Sequence, residues 1–352
     1  IVAANYEDAY AAAGLLREEV KGFVREPTEA RMVAAKEAWV AARVPYLQTE
    51  AFRFYDGPID GDEGPEGMIN AWPMDESYID YVAGNEDAGI IGDREAFPKI
   101  SAGLLRRINE LGGETNIAAG FHAIEFLLWG QDLNVDGPGA RPLEDYTTAK
   151  NADRRGDFLL ACVDLLEANL EELVVAWDGG GSGNYREEFT GAPAGDSLTK
   201  MVRGITMMAG HELSGERLLV AYDTQAQEDE HSCFSDTTHI DARYDALGIA
   251  NVYFGEYVRT SGETVKGPSL KSLAEAIDGD LERRLDAAIK LATDRCAAIP
   301  APFDQAITGA DSAPGRVAVM GAVEALEDAA VLLRELAGKL GFELPDTGDI
   351  DG

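Results

Sequence analysis

The stretch AAGFHAIEFLLWG, residues 118–130, is apolar at almost every position, yet it carries a histidine and a glutamate. Apolar residues at this spacing predict a buried helix. Because residues three apart share one face of a helix, His122 and Glu125 would present an imidazole and a carboxylate to one point. That pair suits a divalent or trivalent metal, or a general base with the group that orients it. The alternative is a buried histidine whose only role is its bond to the glutamate.

Helical periodicity extends over most of the chain, and we find no alternating pattern that would predict a sheet. The predicted helices span residues 3–24, 28–54, 95–111, 115–130, 150–177, 196–222, 240–258, 270–278, 280–298 and 315–341. Pro45 should kink the second of these helices, because proline cannot donate the helical hydrogen bond. The sequence therefore predicts an all-α protein built from antiparallel helical bundles.

A glycine-rich break, DGGGSGN at residues 178–184, divides the chain into parts of similar size. Such a stretch is typical of a flexible connection. We therefore expect two four-helix-bundle-like halves, one over residues 1–178 and one over residues 185–345.

The two halves share a short sequence similarity. IAAGFHAIEFLLWGQD (117–132) resembles MAGHELSGERLLVAYD (208–223) when Gly120 is aligned with Gly210. His122 then falls opposite Glu212. Two similar units packed together would place both segments at a shared interface. Gly120 would also let another backbone or a ligand approach the histidine closely.

A mixed stripe of aromatic and charged residues marks the helix predicted at 28–54. Arg43 and Glu50 lie on this stripe with Trp39 and Tyr46. Buried charges are costly unless they are paired. The stripe is therefore either a buried ion pair that bridges helices or part of a binding site, and the sequence leaves both interpretations open.

A third candidate group lies in the segment 210–239. Glu212 and Glu216 are four residues apart and would share a helix face. His231 and His239 follow in the same segment. The sequence HELSG lacks the second histidine of the HExxH zinc-protease motif, and the chain has no P-loop, nucleophile elbow or GxGxxG motif.

Composition excludes several classes of partner. The formal net charge is −34, which argues against nucleic acid or an anionic membrane surface and is compatible with cation binding. The alternative is a solvated acidic coat suited to salty surroundings. Cys162, Cys233 and Cys296 show neither a disulfide framework nor zinc spacing. No apolar run is long enough for a transmembrane segment.

Several stretches together resemble the imelysin family, also described as insulin-cleaving metalloprotease-like proteins. GFHAIE fits the family signature GxHxxE. WVAARVPYLQTEAFRF, AWPMD, GERLLVAYDTQAQEDEHSCFSDTTH and GIANVYFGEY are similar to that family as well, most of all to its iron-regulated protein A branch. The resemblance covers nearly the whole chain. It implies two four-helix-bundle-like halves with a site between them, near GxHxxE.

The resemblance also implies a function. We expect a bacterial cell-envelope protein, periplasmic or lipid-anchored, whose signal segment is not part of the sequence beginning at Ile1 and which works with other iron-uptake proteins. It would bind iron or an iron-related ligand, with zinc or manganese as alternatives. One histidine and one glutamate are too few ligands for a metal. We therefore expect Glu50, Glu212, Glu216 or His239 to supply further ligands, and we expect Arg43 to lie within reach of His122 and Glu125.

Two other functions remain open on the sequence. The family carries a peptidase label, so one alternative is a metallopeptidase with a non-standard His/Glu site. The other alternative is a non-catalytic structural or interaction protein whose polar interface residues only hold the two halves in register.

The excess of acid leads to a prediction about salt. Unscreened carboxylates repel one another in the compact state, and salt shortens the Debye length to about 10 Å at about 0.1 M. We expect the melting temperature to rise from low to molar sodium chloride, measured by circular dichroism. A melting temperature that stays flat or falls would contradict this prediction.

Overall fold

The computed structural model describes residues 1–61, 64–135 and 137–344. The helices, in chain order, are α1 Val2–Arg25, α2 Glu29–Leu47, α3 Glu66–Ile69, α4 Glu76–Ile79, α5 Gly89–Gly92, α6 Ala102–Ile108, α7 Gly120–Trp129, α8 Ala152–Trp177, α9 Tyr185–Gly191, α10 Ala194–Met207, α11 Val220–Thr224, α12 Thr238–Phe254, α13 Leu270–Ile277, α14 Gly279–Ala297, α15 Phe303–Ile307 and α16 Pro314–Leu340. Short 3-10 turns cover Glu50–Phe52, Leu143–Tyr146 and Gln227–Asp229. A π-helix, Met208–Leu219, joins α10 to α11. The all-α prediction is confirmed.

The N-terminal part of the chain is built around α1, α2, α7 and α8. α1 packs along both α2 and α8, and α7 contacts the same two helices. Thr28 fixes the start of α2, because its hydroxyl accepts a hydrogen bond from the backbone N–H of Arg31. Leu16 and Trp39 are fully buried in the resulting core. Burial of each such side chain contributes roughly 1.5–3 kcal/mol.

The C-terminal part is built around α12, α14, α16 and the π-helix. α14 packs on α16 and α12, and the π-helix contacts the same two helices. None of the helices in the described ranges is both long and apolar enough to cross a membrane.

The two parts meet where α12 packs against α2 and against the 3-10 turn Glu50–Phe52. Gly248 permits this close approach, since a Cβ atom there would lie 2.6 Å from the carbonyl oxygen of Gln48. Asn251 then donates a hydrogen bond to the Gln48 side chain at 2.9 Å. One apolar core runs through both parts. The α2–α12 contact therefore fixes the position of any site that lies between them.

The helix boundaries differ from the prediction at several places. The helix predicted at 28–54 contains Pro45 as expected, but it ends at Leu47 and is followed by a 3-10 turn. The helix predicted at 95–111 is shortened to Ala102–Ile108. The short helices α9 and α15 were not predicted, because too few residues carry a periodic signal.

The prediction of no strands is wrong at one hairpin. The helix predicted at 240–258 ends at Gly255, whose φ of 66° is a left-handed conformation that stops a helix. The chain then forms β1, Glu256–Val258, which pairs antiparallel with β2, Thr264–Lys266. The division into halves at 1–178 and 185–345 stays a prediction, and residue 345 lies outside the described residues.

Gly120, the first residue of α7, has a positive φ, which is energetically unfavourable for residues with a side chain. Its φ is 88°, and a Cβ atom there would lie 2.6 Å from the backbone oxygen of Ile69. Glycine is therefore required both for the backbone angle and for the close approach of the C-terminal end of α3.

We predict that Gly120→Ala destabilises the fold by about 2–4 kcal/mol, from left-handed strain plus overpacking. The measurement is urea unfolding at equilibrium. Gly103→Ala is the matched control, because no described atom outside its own helix turn lies within 4 Å of the added methyl group. The control should be neutral or stabilised by up to about 1 kcal/mol. Equal effects in the two variants would contradict the role assigned to Gly120.

Candidate functional site

The histidine and glutamate of α7 form a buried pair. His122 is 1% exposed and Glu125 is fully buried. The imidazole Nδ1 lies 3.0 Å from Glu125 Oε2, as expected for residues three apart on a helix. The opposite ring nitrogen of His122, Nε2, is buried and has no hydrogen-bond partner among the described residues.

The second oxygen of Glu125 is held from the C-terminal part of the chain. The backbone N–H and the hydroxyl of Ser235 both donate to Glu125 Oε1, at 2.9 and 2.6 Å. Ser235 is 110 positions away in the sequence. Glu125 therefore connects the histidine of α7 to the backbone of the C-terminal part of the chain.

A second histidine–carboxylate pair faces the first. The ring centroid of His231 lies 4.7 Å from that of His122, with the two rings in an edge-to-face arrangement. His231 Nδ1 lies 2.8 Å from Asp241 Oδ2, and Ser232 donates its hydroxyl to the same oxygen at 2.5 Å. Trp72 also packs against this histidine pair, and its ring centroid lies 5.0 Å from that of His122.

Arg43 ties the second pair to the N-terminal helices. Its guanidinium forms an ion pair with Asp241 at 3.0 Å and approaches His231 Nδ1 at 3.4 Å. It also donates to the side chain of Asn70. Arg43 is 1% exposed, so its charge depends on these buried partners.

Burial sets the protonation of both pairs. It lowers the pKa of His231 to about 4 and that of His122 well below the usual range, with neighbouring positive charges adding to the effect. Burial raises the pKa of Glu125 to about 8, although the bonds from Ser235 oppose the increase. Burial would also raise the pKa of Asp241, but Arg43 and His231 outweigh it and hold that pKa well below normal. Both imidazoles are therefore neutral at physiological pH.

Glu50 and Glu212 belong to a separate ionic network. Both carboxylates accept hydrogen bonds from Arg53 and from Arg217. Arg217 also bonds Asp245 at 2.8 Å. Burial alone would raise the pKa of Glu50, but the two arginines lower it to about 2. We expected Glu50 and Glu212 to support His122; their bonds instead go to arginines.

The i,i+4 pairing expected for Glu212 and Glu216 is not formed. This segment is a π-helix, in which hydrogen bonds join residues five apart. Residue 217 therefore approaches Glu212, and Arg217 bonds it at 2.8 Å. Glu216 is exposed and lines a cleft.

His239 is also apart from the histidine pairs. It is partly buried, and no hydrogen bond joins it to His122, Glu125 or His231 in the described part of the chain. Burial lowers its pKa. His231 takes the place that we had expected for His239. The cluster of histidines in 210–239 signalled this region, but spacing alone could not distinguish which histidine would reach α7.

An open cleft of about 470 Å³ leads to the site. Asn70, Trp72 and His231 line it, so His122 lies behind them. The lining also contains Arg53 and Arg217, and carboxylates outnumber these two cations. The lining carboxylates that form no ion pair in the described part of the chain are Glu110, Glu114, Glu216, Glu228 and Asp229. The cleft therefore favours positively charged ligands.

Few side chains are placed where they could coordinate a metal ion together. Within residues 1–61, 64–135 and 137–344, no three His, Cys, Asp or Glu side chains are placed so that they could hold one ion. The three cysteines are buried and unpaired by disulfides. The arrangement therefore offers two facing imidazoles and not a complete protein coordination sphere.

Fold and site together define an all-α protein that encloses paired histidines and carboxylates between packed helical bundles. The family model for imelysin, a peptidase family by name, matches residues 2–333. The chain belongs to the imelysin family. Iron-regulated protein A of Synechococcus elongatus is 27% identical over 335 residues, which are 93% of this chain and 80% of that protein.

Two crystal structures show the same fold. One, described as an iron-regulated protein A precursor from Parabacteroides distasonis, is 19% identical and superposes with a TM-score of 0.73 over 97% of this chain and 92% of that chain. The other, an imelysin-like protein from Psychrobacter arcticum, is 12% identical with a TM-score of 0.69, over 98% of this chain and 93% of that chain.

The depressed pKa of His231 leads to a prediction. Between pH 6.5 and about 4 the unfolded chain binds a proton at this residue and the folded chain does not, so stability falls as pH falls. His231→Asn keeps an N–H donor near Asp241 and cannot titrate. Over this window the wild type should lose about 3 kcal/mol relative to the variant. Urea unfolding at stepped pH measures the difference, and a constant difference would contradict the prediction.

Proposed function

We propose that this protein binds iron, as an ion or in a small complex, at His122 and His231 beneath the acidic cleft. One observation carries the proposal. Two neutral imidazoles, one on α7 and one in the segment before α12, face each other with ring centroids 4.7 Å apart. Each has Nδ1 next to a buried carboxylate, and His122 Nε2 has no partner in the described chain.

The carboxylates suit a metal-binding role for the histidines. A histidine that ligates a metal usually donates its other ring N–H to a carboxylate, which fixes the tautomer and increases the basicity of the ligating nitrogen. Glu125 and Asp241 are placed to do this for His122 and His231. Neutral imidazoles are also the form that binds metal, so protons would compete only in acid.

Because the protein supplies few ligands, we propose that the bound ion keeps donors that are not part of the protein. Two imidazoles leave most of a coordination sphere to water or to the atoms of a small chelating molecule. The cleft volume is within the range of small-molecule sites. Its acidic lining would attract cationic or neutral complexes over anionic ones. Mixed imidazole and oxygen donors suit iron, with manganese and zinc as alternatives.

The geometry supports binding over peptide cleavage. A metallopeptidase needs a carboxylate that can take a proton from metal-bound water. Glu125 uses one oxygen for His122 and the other for Ser235. Glu50 and Glu212 accept from arginines. The relative from Synechococcus carries the name iron-regulated protein A, and we propose by analogy a role in iron uptake at the bacterial cell envelope.

We predict that His122→Ala and His231→Ala each abolish binding of ferrous iron, because neither remaining imidazole can hold the ion alone. Anaerobic calorimetric titration measures this, with ferric, manganous and zinc ions in parallel. For wild type, ligand at a hundred times the dissociation constant should add about 2.7 kcal/mol to the unfolding free energy.

The matched control is His211→Ala, which removes a partly buried histidine of the π-helix that belongs to neither pair. It should bind iron like the wild type. If all three variants and the wild type bind every ion alike, the acidic surface is responsible and the proposed site is wrong. Peptide cleavage that a chelator stops would instead support the metallopeptidase alternative.

A further inference from the structure

The hydrogen bonds around Glu125 have a defined direction. Glu125 Oε1 accepts both the backbone N–H and the hydroxyl of Ser235. A serine hydroxyl has one hydrogen, and Ser235 uses it on Glu125. In its 2.7 Å contact with Thr237, the Ser235 oxygen must therefore accept, so Thr237 donates. The hydroxyls form a chain that runs from Thr237 through Ser235 to the carboxylate.

Because the hydroxyl chain ends on Oε1, the other oxygen of Glu125 remains for the contact with His122. Oε2 faces His122 Nδ1 at 3.0 Å, and within the described residues no Arg or Lys forms an ion pair with Glu125. With Ser235 donating twice to Oε1, ionised Glu125 accepts from the ring through Oε2, and the two bonds from Ser235 favour this form over the neutral acid that burial favours. The hydrogen of neutral His122 then lies on Nδ1, and the lone pair of the unpartnered Nε2 is available.

We infer that Ser235 is a positioning residue that, through Glu125, keeps the His122 hydrogen on Nδ1 and leaves the Nε2 lone pair free for a ligand. The consequence for iron rests on the proposed function, whereas the tautomer of the ring does not. Because Ser235 belongs to the C-terminal part and His122 to α7, docking of the two parts prepares the ligand nitrogen.

The other pair is supported differently, which provides a control. Ser232 donates its hydroxyl to Asp241 in the same way, but Asp241 also has the ion pair with Arg43. Removing the Ser232 hydroxyl therefore leaves a charged partner on Asp241 and every bond of Glu125 in place. Ser232→Ala should therefore leave the His122 hydrogen on Nδ1, as in the wild type.

The test is nitrogen-15 NMR of the histidine rings in metal-free protein, at one fixed pH above the Glu125 pKa of about 8, so that the carboxylate is ionised. In wild type, His122 should show its hydrogen on Nδ1. Ser235→Ala and the near-isosteric Ser235→Cys should shift hydrogen toward Nε2, since each lacks the hydroxyl donor. Ser235→Thr should restore the wild-type signals. Thermal unfolding of every variant separates a local change from loss of the fold.

Iron titration on the same variants gives the second measurement. Loss of a group that supports a metal ligand usually weakens affinity by about 10–100-fold. We expect that loss in Ser235→Ala and Ser235→Cys and recovery in Ser235→Thr. Unchanged His122 signals and affinity in folded Ser235→Ala would overturn the inference. A tautomer shift without iron binding by the wild type would leave the inference standing and refute the proposed function.

Discussion

The bond from Ser235 to Glu125 is the contact on which the site depends. Glu125 is fully buried in an apolar helix, and a buried carboxylate without partners is costly. Its partners come from its own helix and from a segment 110 positions later. The ionic networks of Arg43 and Arg217 also join residues from both parts of the chain. The two bundles therefore compensate their buried charges only when they are docked.

Local periodicity was sufficient to predict the fold class and the contact between His122 and Glu125, because both depend on helical geometry alone. It also placed Arg43 on a stripe facing the interior. Local spacing could not identify His231 and Asp241, since their approach to α7 depends on how the chain folds back after α11. The histidine-rich segment indicated the region without indicating the contact.

The error at Glu216 has a specific physical cause. The similarity between the segments at 117–132 and 208–223 suggested equivalent helices, but the first forms α7 and the second is largely a π-helix. The wider turn changes which residues share a face. Arg217 thereby joins Glu212 and Glu50, and both carboxylates are used in the ionic network. A sequence pattern at α-helical spacing cannot reveal this change of period.

Anomalous diffraction from crystals grown with ferrous iron tests the central claim most directly. The measurement compares data collected on both sides of the iron absorption edge. The account predicts a peak at ligand distance, about 2 Å, from a ring nitrogen of both His122 and His231. A peak confined to carboxylates of the cleft or the outer surface, with none between the two imidazoles, would contradict it.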